Sequence, residues 1–397
     1  MENTSPRSAP LLFRRDEDFA PPFASDDPLR QQDSPLAAEP VWVVTDWAEA
    51  RSVLGDAEHF SRGRVEVRGM DPERRAKLRA GQLLAQDPPD HTRLRRMLTG
   101  EFTVKRIKGL EPRITEIVDE HLDRMEQQGP PSDLVADFSL AIPSLVICEL
   151  LGVPYEDREA FQERAATVID FTLPDEERRR VSDDSRAYMG GLVDRHRADP
   201  GDDLISRLIV RHASDGGADD LSDDELVGIG NLLLIAGHET TSNMLALGTL
   251  ALLRRPDQLA VLRDEPDSVP RAVEELLRYL SVVHTALPRV ATTEVTVHGT
   301  TVGEGDLVAV SLPAANRDPE LTAGGDALDV RREPTNHVAF GHGIHHCLGA
   351  PLARAEMQIA FPALFRRFPR LALVDQGRPA YREQTFIYGL TELPVTW

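Results

Sequence analysis

The segment from Ser222 to Leu253 constrains the fold more than any other part of the 397-residue chain. Apolar residues dominate from Leu226 onward, and no proline intervenes before Pro256. Ser222-Asp223-Asp224-Glu225 has the pattern of a helix start, in which the serine hydroxyl and the glutamate carboxylate satisfy orphan amides reciprocally. At 1.5 Å per residue such a helix is roughly 45–50 Å long, enough to cross an entire domain. Polar residues interrupt it at Asn231 and at His238-Glu239-Thr240-Thr241-Ser242-Asn243. Groups of this kind are costly in lipid, so the segment reads as a buried helix and not as a membrane span. Glycine, asparagine and threonine are mediocre helix formers, and their cluster at mid-helix asks for a functional reason.

The rest of the chain reads as mainly α with small β-sheets. Apolar residues spaced three and four apart predict helices over 48–54, 110–127, 143–151, 157–169, 176–196, 204–212, 269–280 and 352–368. Short strands are expected over 41–45, 295–298 and 301–310. Residues 61–85, charged and Gly-containing, read as a long loop. Residues 1–38 are Pro- and Asp-rich and predict an irregular N-terminal arm; no repeat or linker divides residues 39–397, which predict a single domain.

A formal net charge of −21 repels phosphate backbones and anionic membranes, so neither nucleic acid nor membrane is an expected partner. Only Cys148 and Cys347 are available, which excludes a disulfide framework, and the N-terminus has no secretory apolar region. A cytoplasmic monomer is expected.

Phe340-Gly341-His342-Gly343-Ile344-His345-His346-Cys347-Leu348-Gly349 is the most informative stretch. Its glycines let backbone approach a flat ligand closely. Cys347 precedes a helical pattern with Pro351 in its first turn, and a thiolate there is favoured by free amides and the helix dipole. A zinc site built from His337, His342, His345, His346 and Cys347 fits poorly, because zinc ligands usually stand in spaced pairs. Cys148, inside an apolar helix, reads as a core filler.

This stretch resembles the cysteine loop of the cytochrome P450 family, Phe-Gly-x-Gly-x-His-x-Cys-x-Gly, at every fixed position. The resemblance implies the cytochrome P450 fold, with haem b between the long central helix and the cysteine loop. Cys347 is then the iron ligand, Phe340, Gly341 and Gly349 lie against the cofactor, and His345 contacts a haem propionate. Ala236-Gly237-His238-Glu239-Thr240 is similar to the family's central-helix motif. By that match Ala236 and Gly237 face the haem, Thr240 is the catalytic alcohol at the O2 site, and Glu239 relays protons; Thr240 bonding back to its own helix is the bland alternative. His91 and Arg95, one helical turn apart, and Arg289 resemble propionate-binding residues. Glu275, Arg278 and Arg332 resemble the family's buried structural triad. The chain departs from the family at Leu321 and Leu328, where aromatics are common, and at Gly324-Gly325, which predicts a looser loop.

The implied activity is insertion of one oxygen atom from O2 into a small apolar substrate, a bacterial secondary metabolite, by hydroxylation or epoxidation. No flavin or iron–sulfur segment is recognisable, so electrons are expected from a separate ferredoxin and its reductase. Substrate-facing segments map to 62–85, to the region around Val168–Leu173, to 282–287 and to Phe386, with Ile229, Leu233, Val283 and Leu287 supplying apolar lining. Arg93, Arg96, Lys105, Arg106 and Arg354 are expected to form a basic docking patch for the acidic ferredoxin. Two rivals, a peroxide-driven haem enzyme and a partner-recruiting module, are disfavoured by the intact Glu239-Thr240 pair and by Cys347.

Overall fold

The computed structural model describes residues 15–397 apart from 17, 22–27, 34–39, 66–70, 170–172, 213–219, 376, 378, 383 and 384. The N-terminal arm therefore lies largely outside the described residues, as does the middle of the Val168–Leu173 segment. The central helix spans Asp223–Leu253. Its start is a capping box, in which the Ser222 hydroxyl accepts from the Glu225 amide and the Glu225 carboxylate accepts from the Ser222 amide.

Helices surround this rod. Val104–Gln128, Ala141–Leu151, Asp175–Ala198, Leu204–His212 and Val269–Leu280 bury their apolar stripes in one large core with it. The helix Ala350–Arg367 follows the cysteine loop and crosses the central helix at Gly248, where an added Cβ would lie 2.5 Å from the Phe361 ring. Only glycine permits that approach, and it sets how deeply the cysteine loop's helix is seated.

The β structure forms three small sheets. In the largest, the strand order is Leu29–Gln32, Val41–Val44, Leu307–Val310, Arg289–Ala291 and Phe60–Ser61; only Val41–Val44 and Leu307–Val310 pair in parallel. A second core lies beneath this sheet, under Val44, Val53, Val308 and Val338.

Several expectations are corrected. The arm is not irregular throughout: Leu29–Gln32 adds a strand antiparallel to Val41–Val44. Arg15 donates to the carbonyls of Leu280 and Ser281, and fully buried Phe19 packs against Tyr279 and Tyr388. The 61–85 loop contains the helix Pro72–Arg79, capped by the Asp71 carboxylate accepting from the Arg74 amide. Its face is almost wholly charged, so no apolar period announced it. The stretch 301–310 is two strands, not one: Thr300–Val302 pairs with Val295–Val297, and Leu307–Val310 joins the large sheet. The helix predicted from 110 begins at Val104, because its first turns carry Lys105, Arg106 and Lys108 on a solvent face. The loop at Gly324-Gly325 is not loose: a Cβ at Gly325 would meet the Arg317 carbonyl at 2.6 Å, and the Gly325 carbonyl accepts from Arg278 at 2.7 Å. Among the described residues, no helix is long and apolar enough to cross a membrane.

Candidate active site

Cys347 sits between the short turn Gly343–His345 and the helix beginning at Ala350. Its amide donates to the Phe340 carbonyl at 2.9 Å, and the Gly341 amide to Val338 at 2.8 Å, which folds the loop back on itself. Gly341 and Gly343 both adopt left-handed φ, +70° and +71°. A Cβ at Gly343 would lie 2.4 Å from the Leu54 carbonyl, so the loop is pressed against the end of helix Trp47–Gly55. Burial pushes the Cys347 thiol up, and this outweighs hydrogen bonds from the amides of Gly349 and Ala350 and the charges of Arg95 and Arg354, which pull it down. The amides at the helix N-terminus thus pull the thiol down, as its position predicted, without offsetting its burial; a coordinated metal displaces a thiol proton outright.

Beside the loop the structure gathers a cationic cluster. The His91 and His345 rings meet edge to face with centroids 4.4 Å apart. Burial, with His91, Arg289 and Arg62 nearby, lowers His345 to about 3. Burial likewise lowers Arg62 and Arg289 to about 10, each helped back up by Asp87. Both ring nitrogens of His91, Nδ1 of His345 and Nε of Arg289 are buried without a partner. Crowded cations and orphaned donors at one end of a cysteine loop suit a ligand bearing carboxylates, so these residues fit haem and its propionates. Arg95 lies close enough to His91, His346 and Cys347 to act on them electrostatically.

Arg62 carried no sequence signal, since it lies in a charged loop without period. It ties that loop to the cluster, donating from Nε to the Leu84 carbonyl at 3.0 Å and from Nη1 to the Pro288 carbonyl next to Arg289. Asp87 accepts from the amides of Arg62 and Gly63 and is the cluster's counter-charge.

On the central helix, Ala236 is exposed, whereas a Cβ on Gly237 would meet Ile147 Cδ1 at 3.1 Å. The two small residues thus serve different faces: Ala236 opens on free space, and Gly237 packs against helix Ala141–Leu151. Thr240 Oγ1 donates to the Ala236 carbonyl at 2.8 Å. This back-bond uses its one proton and leaves its lone pairs as acceptors. Glu239 is completely buried; Oε2 accepts from Arg382 Nη1 at 2.5 Å and Oε1 has no partner. Arg382, too, had no sequence signal, because the C-terminal segment has no periodicity.

The structure brings Glu275, Arg278 and Arg332 together. Arg278 grips both carboxylate oxygens at 2.7 and 2.8 Å, while Arg332 makes a single bond at 3.1 Å. Arg278 also donates to the carbonyls of Asn316 and Gly325, and the Asn316 side chain accepts from the Val338 amide at 2.6 Å. The triad is thereby linked to the cysteine loop through Asn316. Of the apolar candidates, Ile229 and Leu233 are buried on the central helix, Val283 pairs with Ile387, and the Phe386 carbonyl accepts from His284. Leu287 is half-buried just before Pro288.

The expected basic patch is partly dismantled. Arg93 turns inward to Glu225 and the Asp220 carbonyl, and Arg354 is held bidentate by Glu274 and lies over the Phe340 ring. Both are spent within the fold. Arg96 and Lys105 are exposed, as is Val104 at 66%.

Comparison with known proteins agrees with this geometry. The family model described as cytochrome P450 matches residues 35–172 and 153–395. Cytochrome P450 FAS1 of Rhodococcoides fascians is 43% identical over 368 residues, covering 91% of each chain. Pentalenic acid synthase of Streptomyces avermitilis is 45% identical over 405 residues, covering 98% of each. The solved structure of CYP105P1 in complex with filipin I superposes with a TM-score of 0.88 at 38% identity, covering 98% of this chain and 99% of the other. The chain belongs to the cytochrome P450 family of monooxygenases.

Proposed function

We propose that the chain is a haem b monooxygenase that inserts one atom of O2 into a small apolar secondary metabolite, by hydroxylation or epoxidation. It acts as a cytoplasmic monomer supplied by a separate ferredoxin and its reductase. The observation that carries the reading is the cysteine loop, which presents one sulfur at a helix N-terminus beside a cluster suited to propionates. Among the proteins it resembles are a pentalenic acid synthase and a P450 solved with filipin I, which favours a secondary metabolite.

In this reading Cys347 would ligate the iron, and His91, Arg95, Arg289, Arg62 and His345 would hold the propionates. Bound haem supplies activation of O2 and transfer of one oxygen atom. Ala236, small and exposed, would leave room for O2 beside the cofactor. Thr240, its proton committed to Ala236, orients a donor with its lone pairs, and Glu239 takes up and passes on protons at Oε1. Ile229, Leu233, Val283, Leu287 and Phe386 line the substrate side and exclude water. The surface around Arg96, Val104 and Lys105 receives the ferredoxin, and its local positive charge opposes the net charge of −21. A peroxide-driven enzyme needs no proton relay, and Glu239 and Thr240 count against it.

Carbon monoxide binding to the reduced holoprotein tests the ligand. The wild type should show the strongly red-shifted Soret band of sulfur ligation, and Cys347→Ser should bind haem without it. A band surviving in Cys347→Ser would remove Cys347 from the role. A screen of polyketides and terpenoids for conversion of ferric haem from low to high spin then identifies the substrate class.

A further inference from the structure

Glu239 reaches only one described cation, and that cation comes from far along the chain. Arg382 Nη1 donates to Oε2 at 2.5 Å across 143 residues of sequence. The Arg382 side chain is 21% exposed while that of Glu239 is 0% exposed, so the pair spans from solvent to the buried helix. The backbone at Arg382 is held by two contacts. Its amide donates to the Gly389 carbonyl at 2.9 Å, and Tyr381 bridges to Leu390. Gly389 lies so close to the central helix that a Cβ would fall 1.7 Å from Asn243 Oδ1, and Asn243 in turn donates to the Glu239 carbonyl at 2.7 Å. The segment at Gly389 and the helix turn 239–243 are thus packed directly together.

The same loop reaches the other side of the site. Ile387 bridges to Val283, the His284 amide donates to Phe386, and the Tyr388 amide donates to Val282 at 2.7 Å. The residue that pairs with Glu239 and the proposed substrate-side residues Phe386 and Val283 are therefore carried by one hydrogen-bonded unit.

We propose that Arg382 is a positioning residue for Glu239: it fixes the carboxylate through Oε2, keeps Oε1 free for proton exchange, and marks where solvent protons enter. This rests on reading Glu239 and Thr240 as the proton relay. A proton from solvent water is taken up at Oε1 and passed inward, while Arg382 keeps its bond to Oε2. Burial keeps His238, the neighbouring ring, uncharged, with Arg382 acting in the same direction and Glu239 opposing it; both its nitrogens are unpartnered. It supplies no competing cation for Glu239.

The test compares wild type, Arg382→Ala, Arg382→Lys, Glu239→Gln and the Arg382→Ala/Glu239→Gln double variant as full-length holoproteins. A plant-type ferredoxin and its reductase supply electrons, and O2 consumption without added substrate is followed in H2O and D2O. Arg382→Ala should keep the carbon monoxide band, slow O2 consumption about tenfold, and raise the solvent isotope effect at least about twofold. Arg382→Lys should restore most of both. The double variant should be no slower than Glu239→Gln alone, because both act at one carboxylate. If Arg382→Ala does not fold, Arg382→Met keeps an apolar stem without any donor to Oε2 and should show the same isotope effect. A wild-type isotope effect in the Ala or Met variant, or additive losses in the double variant, overturns the proposal. A wild type lacking the carbon monoxide band would instead overturn the haem-thiolate reading.

Discussion

Removing the Glu275 carboxylate tests how much of the cysteine loop's stability is routed through the buried triad. In Glu275→Ala, Arg278 loses both carboxylate bonds, Arg332 loses its 3.1 Å bond and the Asp329 amide loses its acceptor. Arg278 is completely buried, so its charge has no access to water. Breaking a buried pair on one side costs about 3–5 kcal/mol, and the carbonyls of Asn316 and Gly325, still bonded to Nη1, hold the value within that range. Unfolding entropy is about 2.1 cal/mol/K per residue, or roughly 0.8 kcal/mol/K for a chain of 397 residues. The loss therefore corresponds to a fall of about 4–6 °C in the calorimetric unfolding midpoint. Because Asn316 also holds the Val338 amide, haem should dissociate faster from the variant. Glu275→Ala combined with Arg278→Met removes the stranded charge and should recover most of the loss. A midpoint within about 1 °C of wild type for the single variant, or a double variant no better than the single, would refute the reasoning.

Thr240→Ala should take up electrons at a near wild-type rate but convert most of the O2 to hydrogen peroxide; product per electron at the wild-type level would remove Thr240 from the relay. Glu274 offers a pH test at the other end of the site. Burial raises its carboxyl, but hydrogen bonds and charge from Arg354 and His337 prevail and bring it down to about 2 from the usual 4.5. A depressed carboxylate contributes stability that is complete above about pH 4.5 and lost as pH falls toward 2. Glu274→Gln should therefore lower the unfolding midpoint at pH 7, with the gap narrowing steadily from pH 4.5 toward 2; a gap as wide at pH 2.5 as at pH 7 would contradict the assignment.

Much of this molecule is legible along the chain because its informative patterns are local. The central helix declares itself by a capping box and an apolar run, the cysteine loop by its glycines, and Glu275 and Arg278 by a three-residue spacing on one helix face. Each of these depends on interactions within a turn or two of backbone, which sequence order preserves. The helix Pro72–Arg79 escaped because its charges leave no apolar period to read, although Asp71 caps it as expected of such a residue.

What tertiary structure alone decided are the meetings of distant segments. Nothing within the chain order couples Arg382 to Glu239, Arg62 to Pro288, or Arg93 to Glu225. Those pairings arise because packing brings surface arginines onto carboxylates and carbonyls that burial would otherwise leave unsatisfied, and arginine's long stem and five donors suit many such partners. The titration of Cys347 follows the same rule. The amides of Gly349 and Ala350, local to the helix start, pull it down as the sequence implied, while burial, a property of the folded whole, pushes it up.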